Sequence, residues 1–149
     1  MPISITDLLQ PADVYLDVEL ASKKDVLRFL SDRVSEKCAS RADFCRQALA
    51  AREKLGSTAI GSGIAFPHAQ LEGLERAMAI FVRLETAVPY AAADAAPVDL
   101  IMMLLTPAGD TKSHLDGLAS FSRALRSDER LQALRAAATA DEIMAAFGH

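Results

Sequence analysis

The chain is expected to adopt an α/β fold: a single domain over residues 1–149, with a mixed β-sheet sandwiched between helical layers. Three observations predict it. Apolar residues recur at helical spacing toward the amino terminus and again after Pro107, while apolar runs rich in β-formers occupy the middle. The order helix, helix, strands, helices then places a sheet between helical layers. With 149 residues, 51% hydrophobic and 24% charged, the chain can bury one sizeable core.

Ser22 opens the first helix. Asp25 three residues on completes a capping-box pattern, and Val26, Phe29, Leu30 and Val34 follow on one face. A second helix starts near Ser40, with Asp43 in its first turn, and runs through Phe44, Cys45, Ala48 and Leu49 to a stop at Gly56. Arg52 shares the stripe of Ala48 and Leu49, so its stem is directed inward. Ile64 to Pro67 reads as a short strand that stops where Pro67 withholds a backbone donor, leaving His68 at the strand mouth. Ala77–Leu84 and Val98–Leu105 read as central strands covered on both faces, the second interrupted only by Asp99, with Met102 and Met103 as core filler. Helix starts return at Asp110–Ser113, at Ser127, and at Thr139 with Glu142 as its capping partner.

Several function classes drop out on composition. A net charge of −4, no cluster of lysine or arginine and only 5% aromatic residues leave no electrostatic footprint for nucleic acid. The amino terminus lacks a basic and then apolar leader, and no segment reaches the ~18–20 apolar residues that span a bilayer, so a cytoplasmic protein without membrane insertion is expected. Cys38 and Cys45 match neither a CxxC redox pair nor a zinc knuckle and read as buried or helix-surface thiols. Gly56, Gly61 and Gly63 fit neither dinucleotide nor Walker spacing and read as turn residues, so no cofactor is expected. A metal site on His68 and His114 lacks a third ligand. His149, the terminal residue, is given no role.

The chemistry concentrates in Gly61-Ser62-Gly63-Ile64-Ala65-Phe66-Pro67-His68, which presents an imidazole after an apolar strand. A neutral imidazole has one free lone pair and an ordinary pKa of about 6.5, which makes it a usable nucleophile near neutral pH. Read with its flank from Arg52 through Leu55-Gly56-Ser57-Thr58-Ala59-Ile60, the segment resembles the phosphorylation site of the fructose/mannitol-type enzyme IIA domains of the bacterial phosphotransferase system. Pro97-Val98-Asp99-Leu100, the strand to Pro107, and His114-Leu115 followed by Leu118 resemble the second half of that pattern. Within the family the chain is most similar to the nitrogen-regulatory enzyme IIA, through its length and its segment from Ile5 to Leu30. Phe66 and Ala69 depart from the usual pattern, which commonly has a smaller aliphatic residue and a glycine there.

The resemblance implies a phosphotransferase with a phosphohistidine intermediate and a regulatory role in nitrogen or potassium metabolism. His68 would accept the phosphoryl group through Nε2, with Nδ1 held by a backbone carbonyl; His114 would support it, and Arg52 would stabilise the phosphate. The residues themselves leave alternatives open. His114 could instead pack over Leu118 and Phe121, or offer the phosphate its helix's first amides; Arg52 could snorkel to a surface carboxylate, leaving Lys112 as the cation. Ser57 and Thr58 could bond phosphoryl oxygens or their own backbone. The donor would be a histidine-phosphorylated carrier protein docking on an apolar rim of Ile64 and Phe66, and regulatory targets would include a kinase or a potassium transporter. Two other readings share the fold: a sugar-specific enzyme IIA passing phosphate to a permease IIB domain, and a binding module that carries no phosphate.

Overall fold

A computed structural model describes residues 4–37, 42–92 and 94–148. In chain order these form α1 (Ile5–Leu8), a 3-10 turn at Pro11–Asp13, β1 (Val14–Val18), α2 (Lys23–Lys37), α3 (Ala42–Lys54), β2 (Ala59–Gly61), β3 (Ile64–Ala65), β4 (His68–Leu71), β5 (Met78–Val88), β6 (Val98–Pro107), α4 (Thr111–Ala124), α5 (Asp128–Ala136) and α6 (Ala140–Gly148). The strands make one sheet in the order β1-β5-β6-β3-β2, and β4 joins β6 beyond β3. It is mixed. β5 and β6 are antiparallel, as are β2 and β3, whereas β1 is parallel to β5, and β3 and β4 are parallel to β6.

The alternation of side chains along β6 sorts the core into two layers. Ile101, Met103 and Leu105 meet Val26, Leu30, Val34, Cys45 and Leu49 from α2 and α3. Leu100, Met102 and Leu104 face the other way, onto Phe121, Leu134, Ile143 and Phe147 of α4, α5 and α6. Met102 and Met103 are therefore both buried although adjacent, because β6 is covered on each face.

The helix starts follow the capping chemistry. Ser22 Oγ accepts from Asp25 N–H, and Asp25 Oδ2 reaches back to Ala21 N–H. Asp110 accepts from Ser113 N–H, Ser127 from Arg130 N–H, and Thr139 and Glu142 close a reciprocal pair of bonds. Ser40, Cys38 and His149 lie outside the described residues; α3 is described from Ala42 and carries Phe44 outward, at 56% exposure.

The sequence reading announces neither α1 nor β2, and two further features differ from it. The strand at Ile64 does not stop for good at Pro67. It pauses over Phe66-Pro67 and resumes as β4 with His68 as its first residue, because Pro67 lacks an N–H yet its carbonyl still accepts from Leu104 N–H at 3.0 Å. The other difference is β1, which no periodicity announced. It is short and only partly buried, and its alternation is broken by Asp17, whose φ of 56° is left-handed. Arg83 of β5 holds that bend with bonds to both Asp17 carboxylate oxygens, and its Nη1 collects the carbonyls of Leu134, Arg135 and Ala137 at the end of α5.

Candidate active site

Three elements bring the predicted residues together. His68 opens β4, Arg52 reaches across from the last turn of α3, and His114 comes from the first turn of α4. His68 Nδ1 lies 2.8 Å from the Phe66 carbonyl oxygen, an acceptor only, so Nδ1 carries the proton and donates it. Arg52 Nε donates to His68 Nε2 at 3.1 Å, which requires a lone pair there. Both ring nitrogens are thus assigned by their partners: the Nδ1–H tautomer, with Nε2 as the free base.

The same turn of the chain holds Arg52. Its Nη1 donates to the Gly56 carbonyl at 2.9 Å, just past the end of α3, so the guanidinium spans from the helix terminus to the imidazole. Lys112, the other candidate cation, pairs its ammonium with Asp116 at 3.1 Å, and its side chain is 82% exposed.

His114 does more than pack. Its Nδ1 sits 2.7 Å from Thr106 Oγ1, a fully buried hydroxyl at the end of β6, and its ring centroid is 5.9 Å from that of His68. Gly117, three residues further along α4, lets the helix approach the sheet: a Cβ there would lie 2.8 Å from Leu104 Cδ2. The amides at the start of α4 are less available to an anion than the sequence suggests, since Asp110 already takes Ser113 N–H.

Burial works against charging either ring. Burial lowers the His68 pKa below 6.5; the hydrogen bond to Phe66 and the Glu53 charge oppose this, and Arg52 and His114 reinforce it. Burial likewise lowers His114.

The rim differs from expectation. Ile64 and Phe66 are 1% and 3% exposed and cannot serve as a docking surface. Phe66 instead backs the imidazole, with ring centroids 5.1 Å apart, and stacks on Phe121 at 5.7 Å. The reason is the sheet: β3 is an inner strand, so its residues and the turn that follows are covered. The exposed large apolar side chains nearest the site in sequence are Leu55, at 85%, and Leu115, at 58%, which follow Arg52 and His114. The hydroxyls of Ser57 and Thr58 are engaged within the protein. Ser57 Oγ donates to the Tyr90 carbonyl at 2.7 Å and Thr58 Oγ1 donates to the Glu53 carboxylate. Glu53 and Thr106 are the polar residues that motif reading passed over; the signal for Thr106 was a lone hydroxyl ending an apolar strand. Among the described residues no three His, Cys, Asp or Glu side chains converge as a metal cluster, and no helix is long and apolar enough to cross a membrane.

Comparison with known proteins fits this geometry. A Nitrogen regulatory protein from Bradyrhizobium diazoefficiens is 37% identical over 139 residues, covering 93% of this chain and 91% of its own. The crystal structure of Nitrogen Regulatory Protein IIA-Ntr from Neisseria meningitidis superposes with a TM-score of 0.91 at 31% identity, over 96% of this chain and 98% of that one. IIA mannitol from Escherichia coli shares the fold, with a TM-score of 0.78 at 19% identity over 94% and 99% of the two chains. The family model for the phosphoenolpyruvate-dependent sugar phosphotransferase system, EIIA 2, matches residues 7–149, and the chain belongs to that family.

Proposed function

We propose that this protein is a phosphocarrier that takes a phosphoryl group onto His68 Nε2 from a histidine-phosphorylated carrier protein and serves nitrogen or potassium regulation through its phosphorylation state. One observation carries the reading: an imidazole whose Nδ1 proton is committed to a carbonyl and whose Nε2 lone pair faces a guanidinium. In the transfer, the Nε2 lone pair forms a bond to phosphorus while the donor's N–P bond breaks and its electron pair returns to the donor imidazole. The His68 ring gains positive charge as Nε2 is substituted, and the Phe66 carbonyl stabilises it through the Nδ1–H bond. Arg52 yields its place on Nε2 to phosphorus and turns to the phosphoryl oxygens, where a charged planar donor is worth most. His114, across the gap from His68, supplies a further contact to the phosphoryl group, oriented by Thr106.

The regulatory assignment follows the relatives named for nitrogen regulation. Regulatory targets such as a kinase or a potassium transporter would read the added charge at the face around His68. The test is phosphorylation from phosphoenolpyruvate through enzyme I and a histidine phosphocarrier, at neutral pH. Wild type should gain one acid-labile phosphoryl group and His68→Ala none. Labelling of both would move the acceptor elsewhere, and labelling of neither would favour a module that binds without carrying phosphate.

A further inference from the structure

Glu53 stands beside Arg52 in the last turn of α3, but its side chain is only 6% exposed, a costly place for a carboxylate unless its oxygens are matched. They are matched by two residues. Lys23 Nζ at the start of α2 lies 2.8 Å from Oε1; Thr58 donates its N–H to Oε1 at 3.0 Å and its hydroxyl to Oε2. The Lys23 ammonium also sits 4.6 Å above the ring of Tyr90, a buried phenol whose pKa is raised by burial and then by the Glu53 charge.

What Glu53 grips is the strand that sets the nucleophile. The Thr58 carbonyl accepts Phe66 N–H at 2.9 Å, and the Phe66 carbonyl accepts the His68 Nδ1 proton at 2.8 Å. A line of bonds therefore runs from Lys23 through Glu53, Thr58 and Phe66 to the imidazole. Successive residues of a helix point about 100° apart, so Arg52 and Glu53 can address different targets from one turn. One holds Nε2 directly, and the other holds the backbone that holds Nδ1.

We propose that Glu53 is a positioning residue for His68, anchoring Thr58 and through it the Phe66 carbonyl that fixes the imidazole tautomer. The proposal rests on the phosphocarrier reading for its purpose, but its structural claim concerns the resting protein. Glu53→Gln keeps the volume and one carbonyl oxygen, but turns a donor toward Thr58 Oγ1 or Thr58 N–H and leaves Lys23 unpaired. Thr58→Val keeps a β-compatible side chain and the carbonyl while removing the hydroxyl.

Two readouts separate positioning from mere stability: ¹⁵N NMR of the His68 ring, which reports the tautomer without any phosphate, and the rate of phosphoryl acceptance from the phosphorylated carrier. In folded Glu53→Gln and Thr58→Val, checked by circular dichroism, the Nδ1–H form should give way to a mixture of tautomers. Acceptance should slow about tenfold or more, in line with loss of an orienting contact. Wild-type ring shifts and a rate within about twofold of wild type in both variants would overturn the proposal. Should Glu53→Gln not fold, Thr58→Val decides alone. A wild-type protein that accepts no phosphate would defeat the functional reading and leave the tautomer shift to judge Glu53.

Discussion

At the scale of the residue, the site is a neutral imidazole with both nitrogens spoken for. Because burial and Arg52 lower its pKa, His68 stays unprotonated to a pH below 6.5, and phosphoryl acceptance should be flat at neutral pH and fall only below that value. The same shift affects stability. Between the folded value and 6.5 the unfolded chain binds a proton that the folded ring refuses, so the contribution is whole above 6.5 and is lost as pH falls through the folded value. Arg52→Met removes one of the lowering influences and the donor to Nε2. The His68 titration followed by NMR should move to higher pH, and acceptance should slow by about 100- to 1,000-fold, the scale of losing one charge-stabilising donor. An unchanged rate would assign the phosphate's countercharge to another group.

At the scale of the element, the site depends on helices held close to the sheet. Gly117→Ala would press a methyl group on Leu104 Cδ2, so either that buried side chain or α4 must shift, and a shift of α4 would lengthen the 2.7 Å contact between His114 and Thr106. The overpacking cost of about 1–3 kcal/mol is offset by about 1 kcal/mol of helix propensity gained, so a net loss of up to about 2 kcal/mol by denaturant titration, with broadened His114 ring signals, is expected. Arg83→Ala would strip the end of α5 of its cation and release Asp17 from its left-handed bend. A loss of about 3 kcal/mol is expected, seen as a fall of roughly 6–12 °C in Tm with the His68 ring signals unchanged. These elements also show where sequence reading works. Caps at Ser22, Asp110, Ser127 and Thr139 are local chemistry between neighbours and were legible, as was β6, whose apolar run needs two covered faces. β1 was not, because its bend is held by Arg83, 66 residues away. Nor was the resumption at β4, since it depends on the Pro67 carbonyl finding Leu104.

At the scale of the whole molecule, the sheet gathers α3, β4 and α4 so that Arg52, His68 and His114 meet although 62 residues separate the first from the last. The motif marks His68 as the candidate nucleophile from its immediate surroundings, whereas the partners of Arg52 and His114 come from the fold. The docking rim was misplaced for the same reason: local hydrophobicity marks Ile64 and Phe66, but only the sheet order tells that they are inside. Exposed Leu55 and Leu115 should carry the carrier's contact instead. Leu55→Asp and Leu115→Asp should raise the KM for the phosphorylated carrier about tenfold while leaving Tm within about 2 °C, as expected of surface anchors. An unchanged KM in both would place the docking face elsewhere. The most direct measurement is a ³¹P–¹⁵N correlation spectrum of the phosphorylated protein with labelled histidine. Phosphorus coupled to Nε2 of His68, with Nδ1 still hydrogen-bonded, is the expected result; coupling to Nδ1 or to a His114 nitrogen would contradict it.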